Sequence, residues 1–230
     1  MKTVAVLAVQ GAFIEHERML AKLSCASIEL RQAADLKKPF DALILPGGES
    51  TAQTKMLREL GMLGTLRTRI AGGMPVLGTC AGLILLAETV EEGVPATGNP
   101  NGPVAAGTAA PGAIGTLPVT VRRNAYGRQL GSFHTTAPCA GLRLRGEQAP
   151  GNGRATSTAS GPESAAGKSA IIPMTFIRAP FIKEVHGGAQ VLARVDDRIV
   201  AVRNGNQIGV AFHPELDADP SIHELLVSLV

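Results

Sequence analysis

Short, unbroken aliphatic runs that each end in a glycine-bearing turn restrict this chain more than any other feature. Residues 4–9, 42–45 and 74–77 carry no charge and are rich in Val, Leu and Ile. Apolar runs this short, without alternation, read as strands covered on both faces. Gln10-Gly11, Pro46-Gly47-Gly48 and Gly78 close them. Helical sequence then follows: residues 12–23, with Phe13, Glu17 and Leu20 near helical spacing; a stretch through Met56, Leu57 and Leu60; and a start at 83–87. Ser50 and Thr51 are the expected N-caps of the second helix. Strands alternating with helices at this rhythm predict an α/β fold, a mostly parallel sheet sandwiched by helices. A further strand is expected at 28–30. The second half reads more as strand, at 117–121, 174–178, 190–194, 199–203 and 207–212, before a closing helix at 221–229.

Composition narrows the function classes. Hydrophobic residues make up 45% of 230 positions, enough for a large core and against global disorder. One domain is the expected organisation, spanning 1–230. A net charge of +3, one Tyr, six Phe and no Trp argue against nucleic-acid binding. The apolar uncharged run 70–87 is too short for a membrane span and contains Pro75 and four glycines. Residues 1–9 lack a small-residue cleavage site and read better as a first strand than as a leader. Three cysteines, Cys25, Cys80 and Cys139, in no CxxC spacing fit a reducing compartment, so a cytoplasmic protein is expected. No histidine pair has metal-ligand spacing, so neither a metal nor a cofactor is implied. Residues 95–113 and 146–170 offer little apolar area and are expected to be flexible loop insertions.

Ligands of parallel sheets sit at the carboxyl ends of the strands, where two glycine-bearing loops fall. Gly78-Thr79-Cys80-Ala81-Gly82 is the cysteine counterpart of the G-x-S-x-G turn, which lifts a nucleophile above the sheet. A helix N-terminus favours thiolate, and the Ala81 N–H is placed to meet an oxyanion. A thiolate nucleophile needs an imidazole, and the imidazole an orienting acid. His213 and Glu215, two apart after the strand at 207–212, supply both; in extended chain they would point to one side. His16, among Glu15, Glu17 and Arg18, reads as helix surface. His134, His186 and His223 have no comparable setting. In Leu45-Pro46-Gly47-Gly48-Glu49-Ser50-Thr51, the glycines let backbone approach a ligand. Glu49 suits an ammonium and Ser50 a further polar contact, with helix capping the alternative for both.

These motifs together resemble the triad, class I glutamine amidotransferases. Val9-Gln10-Gly11-Ala12, Arg123-Asn124-Ala125-Tyr126-Gly127-Arg128-Gln129 and Phe176-Ile177-Arg178-Ala179-Pro180 narrow the resemblance to the glutaminase subunits of pyridoxal 5′-phosphate synthase. The resemblance implies a three-layer, flavodoxin-like class I glutaminase fold and hydrolysis of L-glutamine to glutamate and ammonia. The ammonia would pass to a synthase subunit for vitamin B6 synthesis. It assigns Cys80 as nucleophile, His213 as base and then acid, and Glu215 as orienter. It assigns Gly48, Glu49, Ser50, Arg123, Ile177 and Arg178 to glutamine, either arginine being able to reach its carboxylate. Gly47 and Ala81 would form the oxyanion hole, with Gln10 and Gly11 near the synthase. His134 and Phe181 stand where such subunits usually carry an acid and a histidine. The alternatives are a glutaminase serving another ammonia-using pathway and a non-catalytic binding subunit of the same fold.

Overall fold

The computed structural model describes residues 1–95, 104–123, 132–142 and 169–230. It opens with β1 (Thr3–Leu7), α1 (Phe13–Lys22), β2 (Ala26–Leu30) and a 3-10 turn at Ala33–Lys37. Then come β3 (Ala42–Leu45), α2 (Ser50–Glu59), α3 (Leu63–Ala71), β4 (Val76–Thr79) and α4 (Ala81–Leu86). The strands β5 (Ala87–Pro95), β6 (Val104–Pro111), β7 (Leu117–Arg122) and β8 (Ser132–Cys139) follow. The chain continues through β9 (Ala170–Ile177), β10 (Phe181–Val185), β11 (Gln190–Val195), β12 (Arg198–Asn204) and β13 (Gln207–Val210). A 3-10 turn at Pro214–Leu216 and α5 (Ser221–Val227) end it.

The central strands run in the order β2-β1-β3-β4-β13, every neighbouring pair parallel. Beyond β13 the sheet continues through β12, β10, β7, β5 and β6. All pairings there are antiparallel except β5 with β7, and β11, β8 and β9 branch from β12. This is the expected α/β architecture. Every residue of β3 and β4 is buried, as strands with helices on both faces require. α1 packs on β1 and β2, whereas α4 packs on β3, β4 and β13 with α2 against it. One register matters for the site: Val210 of β13 pairs with Thr79 of β4. The two chain segments that leave the sheet as Cys80 and as Ala211-Phe212-His213 therefore emerge side by side.

Several expectations need correction. The loop placed at 95–113 contains β6, which pairs antiparallel with β5 from Thr89↔Pro111 to Pro95↔Val104. A backbone ladder needs no large side chains, so Ala- and Gly-rich sequence supports it despite offering little apolar area. Residues 96–103, 143–168 and 124–129 of the Arg123–Gln129 motif lie outside the described residues. Neither Ser50 nor Thr51 caps α2: the Glu49 side chain does, accepting from the N–H groups of Thr51 (2.9 Å) and Ala52 (2.6 Å). His16 is not on a helix surface. It is fully buried with Met19 and Leu20, on the same face of α1 as Phe13. The strand expected to reach Phe212 ends at Val210.

Candidate active site

Cys80 sits between β4 and α4 with φ +47°, in the left-handed region that L residues rarely adopt. Strain of this kind is concentrated at functional sites, and here two close approaches hold it. A Cβ on Gly82 would lie 1.9 Å from the Leu45 carbonyl oxygen. One on Gly78 would lie 2.7 Å from the Gly82 backbone and the Leu86 side chain. Only glycine fits at both positions, which explains the Gly-x-Cys-x-Gly spacing. The Cys80 N–H donates to Val210 O at 2.9 Å, tying the elbow to β13.

His213 leaves the neighbouring segment, its N–H donating to Thr175 O at 2.8 Å on β9. Its ring covers Gly47 so closely that a Cβ there would be 2.3 Å from Cε1. The imidazole is hydrogen-bonded to the Cys80 thiol and, at 2.7 Å through Nδ1, to Glu215 Oε1. All three residues are buried. Burial disfavours the imidazolium, but the hydrogen bonds to Cys80 and Glu215 outweigh it and raise the His213 pKa to about 10. The His213–Glu215 relation rests on the 3-10 turn at Pro214–Leu216 rather than on extended chain.

A cavity of about 360 Å³ opens over the sulfur, lined by Gln10, Gly48, Glu49, Ser50, Cys80, Ile84, Arg123, Ile177, Arg178, Pro180 and His213. It brings together all six residues that the resemblance assigns to glutamine. Gly47 and Ala81 are absent from the lining, although Gly47 lies under His213 and Ala81 follows Cys80. The loop at 46–49 is pinned from one side: Ala12 N–H donates to Gly47 O (3.1 Å), and Glu49 N–H to Gln10 Oε1 (2.9 Å). The Gln53 amide donates to Gln10 O (3.0 Å) and Pro46 O (3.2 Å).

The two arginines differ in their engagement. Arg123 reaches Glu92 Oε1 at 2.6 Å, Thr51 Oγ1 at 3.1 Å and Glu49 Oε1 at 3.4 Å. Arg178 has φ +43° and makes no ion pair among the described residues. The partial burial of Glu49 would raise its pKa, yet the Thr51 and Ala52 N–H groups and the Arg123 charge bring it below the usual carboxylate range. His134 Nε2 lies 3.3 Å from Asp217, and Phe181 takes the guanidinium groups of Arg122 and Arg198 over its ring. Ile84, Pro180, His16, His223 and Thr79 border the site without having been expected there. His16 alone carried a usable signal, lying three residues from Phe13 and Met19 and four from Leu20 on an apolar helix face.

No helix among the described residues is long and apolar enough to cross a membrane. Comparison with solved structures finds a glutamine amidotransferase crystal structure 35% identical to this chain, with TM-score 0.73 over 98% of this chain and 97% of that one. PurLQS from Thermotoga maritima, 15% identical with TM-score 0.58 over 99% and 97%, shares the fold. The sequence is 45% identical to the pyridoxal 5′-phosphate synthase subunit PdxT of Desulfitobacterium hafniense, over 99% of this chain and 92% of that protein. Subunits of the same name from Methanocorpusculum labreanum and Haemophilus influenzae are 44% and 40% identical. They cover 99% and 98% of this chain and 97% of each relative. The SNO glutamine amidotransferase family model matches residues 6–152 and 162–230. By these matches, and with a buried thiol, imidazole and carboxylate joined at the floor of one cavity, the chain belongs to the SNO glutamine amidotransferase family.

Proposed function

We propose that this glutamine amidotransferase hydrolyses L-glutamine through a Cys80–His213–Glu215 triad and hands the ammonia to the synthase subunit of pyridoxal 5′-phosphate synthase. Cys80 gives its proton to His213 and attacks the side-chain amide carbon. The resulting oxyanion is met by backbone N–H groups of Ala81 and the Gly47 loop. His213 then protonates the leaving nitrogen, ammonia departs, and a thioester remains on Cys80. Water attacks that thioester with His213 as base, and glutamate is released. Glu215 keeps the Nδ1 proton in place throughout and stabilises the imidazolium.

The single observation that supports this reading most is the thiol–imidazole–carboxylate chain at the floor of a cavity whose lining includes Arg178, an arginine with no ion pair among the described residues. Arg178, uncompensated among the described residues, takes the substrate α-carboxylate, and Glu49 takes its ammonium. Arg123 keeps Glu49 in place. The Gln10–Ala12 segment touches both the cavity and the Gly47 loop, so a synthase docking there acts on the oxyanion hole through the Ala12–Gly47 hydrogen bond. Loss of one aligned oxyanion donor costs about 2.7–4 kcal/mol, so the isolated chain is expected to be slow and the complex fast. Glutamate release by wild type and Cys80→Ala, with and without the synthase, tests the assignment. Undiminished release by Cys80→Ala in the complex removes Cys80 from the chemistry.

A further inference from the structure

Two histidines outside the triad lie directly behind it. His16 on α1 and His223 on α5 are both fully buried. His16 Nδ1 is 2.8 Å from His223 Nε2, while His16 Nε2 faces Glu215 Oε2 at 3.4 Å and Thr79 Oγ1 at 3.3 Å. Glu215 thus presents one oxygen to each of two imidazoles. Oε1 is bound to His213, and Oε2, buried without a hydrogen-bond partner among the described residues, faces His16 Nε2.

The positions of the protons follow from counting donors. A carboxylate only accepts, so an imidazole lone pair turned toward Oε2 would meet lone pairs, and His16 Nε2 must carry its proton. Burial, and then the neighbouring His223 and His213, hold the His16 pKa well below its usual value, so the ring is neutral and has a single N–H. Its Nδ1 is then an acceptor, and His223 Nε2–H must donate to it. Burial and the nearby Lys22 charge lower His223 to about 4, so this ring is neutral too and its Nδ1 is a bare lone pair. That Nδ1 is the buried histidine nitrogen left without a partner among the described residues. An unmatched acceptor is tolerated better than an orphaned N–H, and the opposite polarity would bury an orphaned N–H at this point. One direction of hydrogen bonding therefore runs from His223 through His16 to Glu215.

We propose that His16 is a positioning residue for the triad, its Nε2–H holding the second oxygen of Glu215 while His223 fixes the tautomer that makes this possible. The inference rests on the triad reading above. A carboxylate held at both oxygens cannot rotate away from His213 Nδ1, and the imidazole stays directed at Cys80. In the free chain this 3.4 Å contact is not aligned as a hydrogen bond, His16 Nε2 lying 3.3 Å from Thr79 Oγ1 instead, and it is expected to align and tighten in the complex, as catalytic hydrogen bonds often do.

The test compares His16→Leu, His16→Gln and Cys80→Ala in the complex with the synthase. Ring-nitrogen NMR of the isolated wild-type chain at pH 7 complements it. His16 should appear as the Nε2–H tautomer. His16→Leu should lose about 10- to 100-fold in kcat, a range typical of groups that orient a catalytic ligand, with KM for glutamine nearly unchanged. His16→Gln, whose amide nitrogen can donate to Oε2, should regain most of the rate. Alkylation of Cys80 by iodoacetamide should need higher pH in His16→Leu and not in His16→Gln. Should leucine prevent folding, His16→Asn, polar but too short to reach Glu215, takes its place with the same expectations. A wild-type rate and alkylation profile in the folded His16→Leu protein overturns the proposal. So does an Nδ1–H tautomer, or a loss equal in both variants that follows thermal stability alone. A fully active Cys80→Ala removes the triad reading itself. An inactive Cys80→Ala beside a fully active His16→Leu removes only this inference.

Discussion

Glu215 Oε1 accepts the Nδ1 proton of His213 across 2.7 Å, with both side chains almost sealed from solvent and the turn at Pro214–Leu216 holding them together. A neutral amide at position 215 would keep the shape and remove the charge that favours the imidazolium. Glu215→Gln in the synthase complex should lower kcat by about 100-fold or more, the scale of general acid–base catalysis, and leave KM within a few-fold. Steady-state glutamate release measures both. A kcat near wild type would deny the carboxylate its role.

Stability should peak near pH 6.5 as far as the buried histidines control it. His213 is raised to about 10 in the folded protein from an ordinary 6.5, so its contribution is complete below pH 6.5 and is lost as pH rises toward 10. His16 and His223 are both lowered, His223 to about 4, so their contribution is complete above pH 6.5 and is lost as pH falls toward 4 and below. Urea midpoints between pH 4 and pH 10 should show both slopes. Cys80→Ala, which removes one hydrogen bond from His213, should flatten the alkaline slope. His223→Phe should flatten the acid one. Unaltered slopes in these variants would assign the pH dependence to other groups.

Thiol chemistry should distinguish Cys80 from Cys139. Burial raises the Cys139 thiol to about 12, and no part of it reaches solvent. Cys80 opens on the cavity beside an imidazole. Iodoacetamide at neutral pH should abolish glutamine hydrolysis with mass added at Cys80 and none at Cys139 while the protein stays folded, as peptide mass spectrometry would report. Inactivation without modification of Cys80 contradicts the assignment.

Two glycine substitutions should fail in different ways. At Gly82 the added methyl meets the Leu45 backbone at 1.9 Å, which cannot yield without moving β3. Gly82→Ala should cost about 3 kcal/mol or more, above the usual ~1–3 kcal/mol of overpacking, and is best read in chemical denaturation. At Gly47 the methyl meets the His213 ring at 2.3 Å, and a side chain can swing aside. Gly47→Ala should fold nearly as well as wild type and lose most of its activity. The reverse pattern would mean that the ring over Gly47 is not the working position of His213.

Substrate affinity should depend on Arg178 more directly than on Arg123. Arg178→Ala removes a cation facing the cavity that makes no ion pair among the described residues, whereas Arg123→Ala releases Glu49 and Glu92 as well. The first should raise KM for glutamine about tenfold with little change in kcat, the mark of an interaction made equally in ground and transition states. The second should change both. Identical kinetics in the two variants would refute this division.

How much was legible beforehand followed the range of the forces involved. Cys80 was visible because its strained turn is built from residues within two positions of it. His213 and Glu215 were visible because they follow a buried strand and one another. The cap of α2 was misplaced to Ser50 and Thr51, since propensity favours a hydroxyl and the Glu49 carboxylate reaches forward to the N–H groups of Thr51 and Ala52 instead. Strand β6 was hidden because its pairing uses backbone groups, which composition does not report. The pairing of His16 with His223 was hidden for a different reason: 207 positions separate them, and only the packing of both end helices brings them together beneath Glu215.

Because β4 and β13 are bonded neighbours with Thr79 opposite Val210, Cys80 and His213 ride on a common seam of peptide hydrogen bonds. Their separation is fixed by the spacing of adjacent strands, a dimension no side chain can stretch. Insertions or deletions in the connections beyond β5 can therefore lengthen or trim the periphery, leaving the reacting atoms where the seam puts them.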